Sequence, residues 1–180
     1  MVNPDDFARL KQRIYVMRNG VVADTLRAGG CPYRLIFGLN LPQLREIAAE
    51  YGPDESLVHE LLAHPDLREN ILMAMLLYPR EALTVETARE WIGHVRWTED
   101  ADLLCFTLLR HADFAPAIAS ELCADDDRLR RYTGLRLWLS QASKAPAQAL
   151  ADATAELARE DALVALATMV KDEAEFAAEG

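Results

Sequence analysis

The most chemically suggestive stretch of this 180-residue chain is Trp91-Ile-Gly-His-Val-Arg-Trp97-Thr-Glu-Asp-Ala-Asp102, where two tryptophans stand beside three acids. Asp102 is expected in the first turn of a helix capped by Thr98, on one helical line with Phe106 and Leu109. A carboxylate beside apolar side chains stabilises a positive charge that develops as a bond breaks. The same residues have a structural reading. Acids favour the positive end of a helix dipole, and tryptophans fill gaps between packed helices.

A second cluster is cationic. Arg128, Arg130, Arg131 and Arg136 follow the acidic triplet Asp125 to Asp127. Helical spacing places Arg131 and Trp138 on one stripe with Gly134 between them, and Leu129, Tyr132, Leu135 and Leu139 on an opposing, core-facing stripe. An arginine beside an indole over a small residue suits a backbone phosphate with an aromatic platform. It suits stacking against a neighbouring helix pair equally well.

Other chemistry is largely excluded. There is no nucleotide-binding glycine fingerprint, no nucleophile elbow and no paired-histidine zinc motif. His59, His64, His94 and His111 lie far apart, near expected helix ends. Cys31, Cys105 and Cys123 form no close-spaced ligand pattern and read as reduced, mostly buried thiols. Neither a metal nor a cofactor is expected.

The elements that must position these groups are helices throughout. Asn3 caps a first helix with Pro4 at its start, and a short second helix precedes the breaker Gly29-Gly30-Cys31-Pro32. Asn40-Leu41-Pro42 opens a helix with Leu44, Ile47, Ala48 and Tyr51 at helical spacing. Gly52-Pro53 and His64-Pro65 bound the next helix, and residues 66–78 are apolar over most of the helical circumference. Further helices follow to Gly93, from Thr98 to His111, Asp113 to Cys123, Asp127 to Ser140, Pro146 to Ala158, and Asp161 to Glu175. No period-2 strand pattern occurs. Short connections force neighbours antiparallel, so the expected fold is all-α: a HEAT-like helical-repeat solenoid of antiparallel helix pairs. A helical bundle without repeat symmetry is the alternative. One domain is expected over residues 1–171, with an acidic tail over 172–180 that frays.

Charge constrains the partner. The net charge is −10, and a strongly acidic protein repels a phosphate backbone unless its cations gather on one face. Residues 1–50 hold seven Arg/Lys against five Asp/Glu, so the remaining residues carry −12. The longest apolar run, Ile71 to Tyr78, is eight residues, against about 20 for a membrane span. The N-terminus lacks the charged-then-apolar order of a signal peptide. A cytoplasmic protein without membrane contact is expected.

Several segments resemble the DNA alkylation repair family, the HEAT-like DNA glycosylases. Phe37-Gly-Leu-Asn-Leu-Pro42-Gln-Leu-Arg45-Glu-Ile-Ala48 is similar to that family's loop-and-helix signature, and Leu67-Arg68-Glu69-Asn-Ile-Leu-Met-Ala74 to its next inner helix. Asp102-Leu-Leu stands near the family's Trp-Asp-x-x-Asp-Leu segment, and Arg130-Arg131 where it has Trp-x-Arg-Arg. The resemblance covers about residues 10–140. It implies duplex DNA as partner and excision of cationic N3- or N7-alkylated purines, without cofactor or metal. Asp102 would be the catalytic carboxylate and Trp97 its aromatic partner. Arg130 and Arg131 would hold phosphates, while Gly38 and Pro42 would be structural; the basic cluster and its stripe add Arg128, Arg136 and Trp138 as candidate DNA contacts from their own spacing. One spacing and one residue depart from the pattern: Trp97 precedes Asp102 by five residues where the family has four, and Arg128 replaces the second motif's tryptophan. The alternative is a catalytically inactive scaffold whose concave face binds a protein or peptide.

Overall fold

The computed structural model describes residues 4–179, so the expected cap Asn3 lies outside the described residues. Among these there are eleven α-helices and no strand, the all-α architecture of helix pairs that the periodicity implies. The chain divides into two compact units, one ending at Ala82 and one beginning at Leu83.

The first unit contains α1 (Pro4–Val16), α2 (Gly20–Ala28), α3 (Leu41–Tyr51), α4 (Glu55–Leu62) and α5 (Arg68–Leu77). Side-chain caps start α2, α3 and α4 where they start. The Asn19 side chain accepts from Val21 and Val22 N–H, Asn40 forms a reciprocal capping box with Gln43, and Asp54 accepts from Ser56 and Leu57 N–H. Helix α5 packs against α3 and α4 and buries nine of its ten residues, which is why its sequence is apolar nearly all round.

The Phe37-Gly-Leu-Asn loop owes its shape to α5. Glu69, fully buried, accepts backbone N–H bonds from Phe37 (3.0 Å), Gly38 (2.9 Å) and Leu39 (3.3 Å). Arg68 neutralises that carboxylate at 2.7 Å and donates to the Leu39 carbonyl. Gly38 has φ +81°, and a Cβ there would lie 2.2 Å from the Asn19 carbonyl oxygen. Only glycine fits. The signature loop is therefore a structural clamp.

The second unit contains α6 (Val85–Gly93), α7 (Thr98–Thr107), α8 (Ala115–Cys123), α9 (Arg128–Trp138), α10 (Pro146–Leu157) and α11 (Val164–Glu179). Short connections join the packed pairs α8/α9 and α10/α11, and α9 also packs on α7. Two boundaries differ from expectation. Trp97, not Thr98, is the residue before α7, and the Asp100 carboxylate accepts from Trp97 and Arg96 N–H. The segment expected to fray is helical to Glu179, because Ala167, Val170 and Ala174 continue one buried stripe. All three cysteines are free and buried. No helix of the described residues is long and apolar enough to cross a membrane.

Candidate active site

Asp102 lies in the second turn of α7, half-buried, and is held from α9. Tyr132 donates its hydroxyl to Asp102 Oδ1 at 2.8 Å, and Arg136 donates Nε to the same oxygen at 2.6 Å. Tyr132 and Arg136 are four residues apart, so they stand one above the other on α9. Helix packing thus aims two donors at one carboxylate oxygen, a charge-assisted arrangement that fixes its position.

The carboxylate borders a small pocket of about 120 Å³ lined also by Cys105, Phe106, Arg110, Arg136, Leu139 and Ser140. Phe106 is 54% exposed, and the Arg110 guanidinium stands 4.7 Å over its ring. Leu109 does not join this face. The α-helix gives way at Leu108 (φ −115°, ψ −65°) to a 3₁₀ turn, Leu109–His111, which sends Leu109 into the core and leaves Arg110 at the pocket. Gln141 donates its side-chain amide to the Arg110 carbonyl and steadies that turn.

Titration behaviour follows from these surroundings. Burial, then the hydrogen bond from Tyr132 to Asp102, pushes the Tyr132 phenol up to about 12, so it remains a donor at neutral pH. Burial pushes the Cys105 thiol well above its ordinary value; a neutral, enclosed thiol is no nucleophile. Its Sγ instead donates to the Thr133 carbonyl.

The expected partner of Asp102 is elsewhere. Trp97 occupies extended backbone at the N-terminal end of α7 and is not part of the pocket lining. Besides Tyr132, the aromatic side chain at this pocket is Phe106, four residues on from Asp102 and therefore on the same helical face.

The expected faces of α9 are exchanged. Arg131 and Trp138 are 1% and 0% exposed, while Leu129, Tyr132 and Leu139 are half-buried and only Leu135 is buried as anticipated. Arg131 donates Nε to Glu156 (2.9 Å), Nη2 to Asp161 (2.6 Å) and Nη1 to the Asp126 carbonyl (2.7 Å). Trp138 donates Nε1 to Asp152 at 2.9 Å. In this packing neither side chain is open to a phosphate. Gly134 explains the exchange: a Cβ there would lie 2.7 Å from the Ala119 carbonyl oxygen and 2.8 Å from Cys123 Sγ, so this stripe is where α9 meets α8. Two acids then satisfy an arginine that the geometry drives inward.

The remaining cations differ in their commitments. Arg128 and Arg130 are exposed; Arg128 donates to the Asp161 carbonyl, and Arg130 pairs with Asp125 at 3.1 Å. Arg136 is the one member of the basic cluster at the pocket. Arg110 and Tyr132 escaped the sequence reading as site residues. A weak signal existed for the second, since Tyr132 and Arg136 share i, i+4 spacing. Nothing in the sequence marks Arg110, because its orientation depends on a break in the helix. Among the described residues, no group of three His, Cys, Asp or Glu side chains could hold a metal ion.

A family model described as DNA alkylation repair enzyme matches residues 11–178 of the chain. Searches of curated proteins and of solved structures each return no significant match.

Proposed function

Because the chain belongs to the DNA alkylation repair enzyme family, we propose that it acts on alkylated DNA, with Asp102 as the residue that serves the reaction. The supporting observation is the pocket-edge carboxylate held by Tyr132 and Arg136 beside the exposed ring of Phe106. An N3- or N7-alkylated purine carries a positive charge. When its glycosidic bond breaks, the electron pair passes to the purine nitrogen, the base leaves neutral, and the positive charge moves to the sugar. A fixed carboxylate stabilises that charge as it develops. Water then adds to the sugar carbon and loses a proton. Phe106 offers a ring face against the sugar or base, and Arg110 and Arg136 supply cations for the flanking phosphates.

The test is release of alkylated purine from duplex DNA by the purified protein and by Asp102→Asn, which keeps size and hydrogen bonding but removes the charge. Excision slowed on the order of a hundredfold or more, about 3 kcal/mol of barrier, with DNA binding retained, is the expected result. Equal excision by both proteins removes Asp102 from the mechanism. No excision by either removes the glycosylase reading.

A further inference from the structure

We propose that the protein associates with itself, helix α11 of one copy lying in an apolar groove on the first unit of a second copy. The contact is independent of any reaction at Asp102, since no residue in it lines the Asp102 pocket.

Helix α11 supplies one surface. Ala167, Val170 and Ala174 are buried and hold the helix against α10. Its other side is open, with Met169 54% exposed and Phe176 76%. Asp172 and Glu173, both exposed, stand between them in the sequence. The spacing i, i+3, i+4, i+7 puts all four side chains on one face two turns long. The helix has a single cation, Lys171, which pairs with Glu175 at 3.7 Å. Asp172 and Glu173 are therefore left without a cationic partner among the described residues. Apolar side chains at this spacing on a solvent-facing helix are the anchors of a helix that docks in a groove.

The first unit supplies the counterpart. A groove of about 660 Å³ is walled by Ile14, Leu35, Phe37 and Leu67, room enough for a drug-sized apolar body and so for the side chains of Met169 and Phe176. Lys11 lies at this groove, and Arg18 follows it seven residues later on the same face of α1. Lys11 is 5.3 Å from the Phe7 ring centroid, and the Arg18 guanidinium covers the Tyr15 ring at 3.9 Å. Neither meets a carboxylate among the described residues. The cations around them are committed: Arg9 to Asp6, Arg13 to Glu50 and Arg34 to Asp66. Residues 7–23 hold four cations and no acid.

Charge selects the occupant. With a net charge of −10, two copies repel except where uncommitted cations of one meet uncommitted acids of the other. Lys11 and Arg18 span about 10 Å of α1, as Met169 and Phe176 do of α11. The two apolar side chains enter the groove while Asp172 and Glu173 face the cations. Two such contacts exchanged reciprocally close a two-fold dimer, and a one-way contact extends a chain.

Sedimentation velocity of the full chain over a concentration series tests this. Assembly that grows with concentration and weakens with added salt is expected, and Phe176→Asp should weaken it at least about tenfold (1.4 kcal/mol). Charge exchange gives the specific readout. Lys11→Glu/Arg18→Glu and Asp172→Lys/Glu173→Lys should each lose self-association. Mixing these two proteins should restore it, because the acidic groove of one then meets the basic helix of the other. All five positions are exposed, so none of the changes threatens folding. Assembly unchanged in both double variants, or no association on mixing them, overturns the proposal. A chain that stays monomeric at every concentration also overturns it and leaves the groove to a different kind of partner.

Discussion

Asp102 and Arg131 show how differently one kind of contact acts at the surface and in the core. Asp102 is held by two donors yet remains about 41% exposed on its side chain, so it is positioned without being consumed. Tyr132 reports on this arrangement. Its folded-state value is raised from 10 to about 12, so the unfolded chain gives up that proton first. Its contribution to stability is complete below pH 10 and disappears as pH rises to about 12. Burial raises Tyr51 as well, so tyrosinate absorbance should show a late-titrating phase of which the Tyr132 part moves down in Asp102→Asn; an unmoved titration would show that Tyr132 and Asp102 are uncoupled in solution. Arg131 is the opposite case. With both it and Glu156 1% exposed, Arg131→Ala leaves a buried carboxylate short of its principal cation and should cost about 3–5 kcal/mol of stability. Urea denaturation checks this, and a variant as stable as the parent would show that the pair is not buried in solution.

At the scale of elements, α9 is the organising helix of the second unit. One face reaches Asp102 on α7 and the other closes on α8 through Gly134. Alanine at position 134 gains up to about 1 kcal/mol in helix propensity. Its Cβ would meet backbone atoms of Ala119 and Cys123 at 2.7 and 2.9 Å, which cannot yield without parting the helices, so overpacking of about 1–3 kcal/mol prevails. Gly93, at the end of α6, has nothing within 4 Å of the place a methyl group would occupy, so Gly93→Ala should be neutral or stabilising by up to about 1 kcal/mol. Thermal melting of the two variants should move in opposite directions or leave Gly93→Ala unchanged. A Gly134→Ala protein as stable as the parent would mean that α8 and α9 are less closely packed.

For the whole molecule the governing quantity is charge. Residues 1–82 hold nine Lys/Arg against eleven Asp/Glu, and residues 83–180 ten against eighteen, so the unit with Asp102 carries −8. Any duplex binding must then depend on a few local cations and fall steeply with salt. Arg128 and Arg130 are exposed and are the members of the basic cluster whose removal leaves both core and pocket intact. Binding of duplex DNA across a salt series should weaken in Arg128→Ala/Arg130→Ala, with the log–log slope shallower by about two if each meets one phosphate. An unchanged slope would move the DNA contact away from α9.

Local rules sufficed for much of this protein. The cap at Asn40, the breakers at Gly52 and Gly29, and the circumferential apolarity of α5 all act within a few residues, so the all-α helix order was legible in the sequence. Asp102 and Phe106 were legible as neighbours for the same reason, being one turn apart. What surrounds them was not. Which face of α9 turns inward depended on Gly134 meeting α8 and on acids at positions 156 and 161, contacts 11–30 residues away in the chain. The amphipathic stripe that hydropathy favours for the core, Leu129-Tyr132-Leu139, lost to a stripe containing an arginine because ion pairing and close backbone approach are tertiary properties. Likewise, Glu69 clamps a loop about 30 residues earlier, and a charged residue in an apolar run announces burial only once its partners are in place.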